Sequence, residues 1–142
     1  MSRQLGIIGG GNMAEAIVRG AMNAGMLSAK DLLVADPTVA RRQVFADLGI
    51  AVTDRNGEAI SGSGAVLLAV KPQIFPEIVE DLRAIDPGSQ CVISIMAGIS
   101  IAKLTEATGG SQRVIRTMPN TPLLAGKGMT GIAPGPGVTD VD

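Results

Sequence analysis

A short apolar run, Leu5-Gly-Ile-Ile8, passes directly into Gly9-Gly10-Gly11 and then into Asn12-Met13-Ala14, where a helical pattern begins. Few local sequences constrain a fold more tightly. Gly9, Gly11 and Ala14 occupy the three small positions of G-x-G-x-x-G/A. The first allows a tight turn, the second lets backbone approach a pyrophosphate, and the third permits close packing of helix on strand. The helix start that follows carries unpaired N–H groups and partial positive charge, which favours phosphate without any lysine in the loop. The Gly-Lys-Ser/Thr ending of an ATP-type phosphate loop is missing, so that class is set aside.

The surroundings of the loop strengthen the reading. Met13, Ile17, Ala21 and Ala24 recur at helical spacing. A second strand, Asp31 to Ala35, ends in Asp36, about 20 residues beyond the loop, where a carboxylate can accept hydrogen bonds from the hydroxyls of an adenosine ribose. Strand and helix then keep alternating. A helix is expected over Thr38 to Leu48, a strand over Ile50 to Val52, and a brief helix over Asn56 to Ser61 that ends in a flexible Gly62-Ser-Gly64. The six apolar residues Ala65 to Val70 read as a strand covered on both faces. Pro72 opens a helix with Ile74, Ile78, Leu82 and Ile85 along one face. A strand at Cys91 to Met96, a helix at Ser100 to Thr108, a strand at Val114 to Met118, a proline-stiffened loop at Pro119 to Pro122 and a last strand at Met129 to Ala133 complete the series. The fold class expected is α/β: a Rossmann-type, doubly wound, mostly parallel sheet with helices on both faces.

Composition narrows the chemistry. The 142 residues carry a formal net charge of −1 and only two aromatic residues, both Phe, which removes the bulk electrostatics and the stacking platforms that nucleic-acid binding uses. No apolar run is long enough to span a membrane, and Met1 to Gln4 lead into a strand without a signal segment. One cysteine excludes an internal disulfide and fits a reducing cytoplasm, and Cys91 reads as a packed, unreactive thiol. With no histidine, neither a usual zinc site nor a Ser-His or Cys-His nucleophile pair is available, so no metal is expected.

Ligands of such sheets bind beyond the carboxyl ends of the strands. That rule selects Gly9 to Met13, Asp36-Pro37, Val70-Lys71-Pro72, Met96-Ala97-Gly98 and Met118 to Pro122. Lys71 stands out, because its ammonium follows six apolar residues at a turn that Pro72 fixes. Arg41 and Arg42 read foremost as an exposed helix face, the other possibility being that an arginine there accommodates a 2′-phosphate. Asp36 favours NADH, yet the two arginines leave NADPH open.

Leu5 to Ala14, Ala69-Val-Lys-Pro72, Ser94 to Gly98 and above all Val114-Ile-Arg-Thr-Met-Pro-Asn-Thr-Pro122 resemble the pyrroline-5-carboxylate reductases, in the same order and over essentially the whole chain. The resemblance implies reduction of 1-pyrroline-5-carboxylate to L-proline with NADPH or NADH. It implies cofactor contacts at Gly9, Gly10, Gly11, Asn12, Met13, Ala14, Asp36, Asn56, Ala69, Val70, Lys71, Pro72, Ile95, Met96 and Ala97. Asn120, Thr121 and Lys71 would position the nicotinamide and the substrate. A cyclic imine becomes an iminium in water, so its reduction needs orientation more than a strong protein acid, which suits a chain without histidine. The resemblance further implies a helical second domain that forms a homo-oligomer and completes the substrate pocket; since the chain stops at Asp142, it is expected to be the nucleotide domain alone. Two other readings stand beside this one: another two-domain NAD(P)-dependent dehydrogenase of the β-hydroxyacid or ketopantoate type, against which the Met118 to Pro122 loop argues, and a non-catalytic NAD(P)-binding module.

Overall fold

The structure is a computed structural model that describes residues 3–110 and 112–142; the reading of Met1 and Ser2 as a lead-in lies outside them. Among these residues seven strands form one sheet: β1 (Arg3–Ile8), β2 (Leu32–Ala35), β3 (Ala51–Thr53), β4 (Ser63–Leu68), β5 (Cys91–Ser94), β6 (Arg113–Pro119) and β7 (Thr130–Pro134). Their order across the sheet is β3-β2-β1-β4-β5-β6-β7. The first six run parallel, and β7 returns antiparallel to β6. Among the described residues five α-helices connect them: α1 (Asn12–Asn23), α2 (Val39–Ala46), α3 (Asn56–Ser61), α4 (Phe75–Leu82) and α5 (Ile101–Ala107). The α/β class and the mostly parallel sheet are as the sequence led us to expect.

Strand alternation explains why two cores form. Neighbouring residues of a strand point to opposite faces. Ile7 of β1 and Leu67 of β4 therefore join Ala14, Val18 and Phe45 of α1 and α2. Ile8, Val66 and Leu68 face the other way, toward Ile60, Ile78, Leu82 and Leu104 of α3, α4 and α5. Each Ile or Leu fully buried in this way contributes about 1.5–3 kcal/mol. Strands that feed both cores read as unbroken apolar runs, which is why Ala65 to Val70 reads as a strand, although β4 ends at Leu68 and Ala69 and Val70 belong to the loop after it.

Several boundaries differ from expectation for identifiable reasons. Asp31 lies just before β2, in a 3-10 turn over Ala29–Asp31, because its carboxylate accepts from both the backbone N–H and the hydroxyl of Ser28. Ser63 and Gly64 are not a flexible linker: they begin β4, with Ser63 paired to Arg3. The buried Gln90 amide holds them there, donating to the carbonyls of Ile60 and Ser63 at 2.7 and 2.6 Å. Pro72 opens a 3-10 turn, and α4 begins only at Phe75. The loop at Pro119 to Pro122 continues into another 3-10 turn over Thr121–Ala125.

One glycine inside a strand also has a packing role. A Cβ on Gly6 would lie 2.0 Å from the carbonyl oxygen of Ala59, so α3 rests directly on the β1 backbone.

Candidate functional site

After β1 the chain crosses leftward to β2 and β3, then returns to place β4 on the other side of β1. The loops leaving β1 and β4 diverge at that point and open a crevice. A cleft of about 440 Å³ lies there, walled by Gly9 and Gly11, by Asp36 with Pro37 and Thr38, and by Asn56 and Ala69 to Lys71.

Gly9 turns the chain with φ 98°, and a Cβ on it would sit 2.8 Å from the Ala69 and Val70 backbone. Only glycine combines that conformation with that proximity. Its N–H donates to the Ala35 carbonyl at 2.9 Å. Gly10 is buried, and a Cβ there would press on Phe45 at 3.0 Å. Gly11 differs from both: nothing lies within 4 Å of where its Cβ would be. It is the N-cap of α1, with no side chain bonded to the helix's first amides. Ala14 is fully buried against the sheet. An open glycine before uncapped amides, on a helix seated by a small residue, is an arrangement into which a pyrophosphate fits.

The loop is gripped from outside. The Gly10 N–H donates to Asp36 Oδ2 at 2.8 Å, and the other carboxylate oxygen, Oδ1, accepts from the Thr38 N–H at 2.8 Å. Arg41 donates through Nε to the Gly10 carbonyl at 2.5 Å and through Nη2 to Glu15 Oε2 at 2.8 Å. Its guanidinium carbon stands 5.9 Å from the centre of the Phe45 ring. Arg41 is therefore not the exposed helix face expected of it, but a half-buried tie between α2, α1 and the glycine loop. Hydrogen bonds from Arg41 and then Arg19 hold the Glu15 carboxyl below its ordinary range. Arg42 Nη1 donates to the carbonyls of Asp36 and Pro37 at 2.7 and 2.9 Å.

Gly9, Gly11, Asp36, Asn56, Ala69, Val70 and Lys71 share the cleft. Lys71 is exposed, and Pro72 beside it starts the 3-10 turn. Asn56 donates to Asp81 at 2.8 Å, tying α3 to α4. Asn12 is exposed and Met13 half-buried in the first turn of α1. Ile95, Met96 and Ala97 follow β5 without lining the cleft; Met96 is buried in the core at 1% exposure, Ile95 is half-buried and Ala97 exposed. Asn120 and Thr121 also lie apart from it. The Asn120 side-chain oxygen accepts from the Met129 N–H at 2.9 Å and so closes the loop to β7. Exposed Thr121 begins the 3-10 turn that packs on α1. Sequence reasoning missed Asp54, Ile74 and Glu77 in the cleft wall, and Glu15 behind the loop. Ile74 and Glu77 stand at i and i+3 in the turns after Lys71, a spacing that would have placed them on one face. Cys91 is buried, and burial pushes its thiol up.

Sheet order, crossover and glycine turn together define a Rossmann-type α/β module. Residues 4–98 match the family described as NADP oxidoreductase, coenzyme F420-dependent, and the chain belongs to that family. Its similarity to pyrroline-5-carboxylate reductases runs further along the chain. It is 43% identical over 129 residues to the enzyme of Haemophilus influenzae, an alignment covering 90% of this chain and 47% of that protein. The structure of the Coxiella burnetii pyrroline-5-carboxylate reductase superposes with TM-score 0.91 at 28% identity, over 99% of this chain and 53% of that one. The Plasmodium falciparum pyrroline carboxylate reductase, solved with NADP bound, gives TM-score 0.82 at 29% identity over 99% and 51%. The chain thus spans about half the length of the relatives it matches.

Proposed function

We propose that the chain is the nucleotide-binding half of a pyrroline-5-carboxylate reductase, which reduces 1-pyrroline-5-carboxylate to L-proline with NADPH or NADH. The observation that carries this reading is the cleft at the strand-order reversal, where Gly9, Gly11, Asp36 and Ala69 to Lys71 meet although they are far apart in sequence. When bound, the reduced nicotinamide supplies the hydride. The protein's part is to hold and orient. The Gly11 backbone and the first amides of α1 take the pyrophosphate, with Gly10, Asn12, Met13 and Ala14 shaping that turn. Asp36 and Asn56 contact the adenosine end, and Ala69 to Pro72 form the wall beside the nicotinamide, with Ile95 to Ala97 after β5 outside the cleft. Lys71, Asn120 and Thr121 position nicotinamide and substrate. The iminium carries its own positive charge, so fixing its distance and angle provides most of the rate.

In this reading residues 1–142 are one nucleotide domain, and a helical domain completes the substrate pocket and makes the protein a homo-oligomer. The reaction belongs in the cytoplasm, and no helix among the described residues is long and apolar enough to cross a membrane. Calorimetric titration of the chain with NADH and NADPH should show one site. NADPH or NADH oxidation that depends on added pyrroline-5-carboxylate, assayed with the chain joined to the second half of a relative, tests the reaction. Saturable nucleotide binding with no turnover in that assembled protein would favour the non-catalytic module instead.

A further inference from the structure

We propose that this cleft takes NADH in preference to NADPH and that Asp36 sets the choice; the proposal rests on the cleft being a dinucleotide site. Asp36 stands at the end of β2, the position that meets the adenosine ribose in folds of this kind. Its carboxylate is not free to turn away. Oδ2 accepts from the Gly10 N–H and Oδ1 from the Thr38 N–H, both at 2.8 Å. Swinging it aside to admit a second anion would break two charge-assisted hydrogen bonds, one of which shapes the glycine loop itself. A carboxylate has about four acceptor positions, so the two that remain can receive the ribose hydroxyls. A 2′-phosphate offers acceptors and negative charge in the same place.

The two cations nearest this carboxylate already have partners on their own side of the loop, and neither lines the cleft. Arg41 is held by the Gly10 carbonyl and by Glu15. Arg42 is drawn onto the carbonyls of Asp36 and Pro37. The other charged residues lining the cleft are Asp54, Glu77 and Lys71. Lys71 leaves β4, which β1 separates from β2, so the two strand ends are about 10 Å apart. The charged side chains that line the adenosine end are therefore Asp36 and Asp54, while Arg42 is held against the backbone behind them.

Titration of the chain with NADH and with NADPH, followed by nucleotide fluorescence, reads the preference directly. NADH is expected to bind about tenfold tighter or better. Raising KCl from about 0.05 to about 0.5 M should narrow the ratio, since screening weakens the one repulsion that NADH lacks. Asp36→Asn keeps an acceptor and removes the charge; with an unchanged melting temperature it should bring the two affinities to within about threefold, mainly by tightening NADPH. Arg42→Met should leave the ratio as it is. NADPH binding as tightly as NADH, a ratio indifferent to salt, or an Arg42→Met chain that loses NADPH alone would each overturn the proposal. Failure of both nucleotides to bind would instead reject the cleft as a dinucleotide site, and the preference with it.

Discussion

Strands β1 and β7 belong to one sheet, yet Ile7 and Ile8 of β1 are at most 1% exposed while Ile132 of β7 is 70% exposed. Around β1 and β4, helices cover both faces, and the cleft is framed by bonds between distant residues: Gly10 to Asp36, Arg41 to Gly10 and to Glu15. Around β6 and β7 the face shared with α1 leaves an apolar hollow of about 560 Å³ between Ile17, Ile93, Ile95, Leu123 and Ile132. The nucleotide half closes over its own core, whereas the far end presents apolar surface. The difference teaches where substitutions in this chain should matter: the glycine loop is tied by several bonds across the fold, whereas the loop at Asn120 is closed by the Met129 N–H.

The strongest way to break the contrast is Gly6→Val. A Cβ at 2.0 Å from the Ala59 carbonyl oxygen cannot be absorbed by rotating a side chain, so α3 must leave the sheet. A loss of about 3 kcal/mol or more follows, measured by urea denaturation as a large fall in midpoint or the absence of a cooperative transition. A near-normal midpoint would mean that α3 does not rest on β1 as described. Gly11→Val, five residues away, tests the same half in the opposite sense. Open space surrounds its Cβ position, so stability should change by less than about 1 kcal/mol while NADH affinity drops at least about tenfold, because the side chain would stand where the phosphates approach. A folded Gly11→Val chain with unaltered affinity would remove the loop from the binding site.

That pair also shows what the sequence could and could not disclose. The turn at Gly9, the helix start at Gly11, the close packing of Ala14 and the strand-end place of Asp36 were legible because they are local or follow a fixed spacing along one βαβ unit. Gly6 carried a readable signal, a glycine inside a strand, which marks close backbone approach. Ser63 and Gly64 misled because Gly and Ser read as linker, and what holds them in β4 is an amide from Gln90, 27 residues away in sequence. Arg41 misled for the same reason: two adjacent arginines on a polar helix look solvated, and the carbonyl that captures one of them lies 31 residues back. The alternation of elements was visible throughout, since period and turn residues are short-range properties. Side-chain ties across the fold were not, since no local pattern encodes their partners.

At the open end the expected effects shrink. Ile132→Thr keeps a β-branched side chain on β7 and removes one that is already mostly in water, so unfolding free energy should shift by less than about 0.5 kcal/mol. The matched change Ile8→Thr puts a hydroxyl into a core where the present residue is 1% exposed, and about 2 kcal/mol or more is expected there. Denaturation curves for the two variants compare the halves directly; equal losses would mean that the β7 face is covered in solution.

Another small effect concerns charge behind the glycine loop. Hydrogen bonds from Arg41 and then Arg19 lower the Glu15 carboxyl below its ordinary 4.5. A group whose folded value is depressed stabilises the fold fully above the unfolded value, and that contribution disappears as pH falls through the lower, folded one. Glu15→Gln should therefore cost less than about 1 kcal/mol at neutral pH, because the pair is partly solvated; the cost should begin to fade near 4.5 and vanish once pH has fallen through the lower, folded value. Asp31 and Asp86, lowered by their own serine and backbone hydrogen bonds, remain in both chains and cancel when the two stability curves are subtracted. A difference that persists unchanged into acid would assign the loss to packing of the Glu15 side chain and not to its ion pair. Because Arg41 also holds the Gly10 carbonyl, releasing it from Glu15 should loosen the loop more than the fold, so Glu15→Gln is expected to weaken NADH binding by a larger factor than its change in stability would suggest.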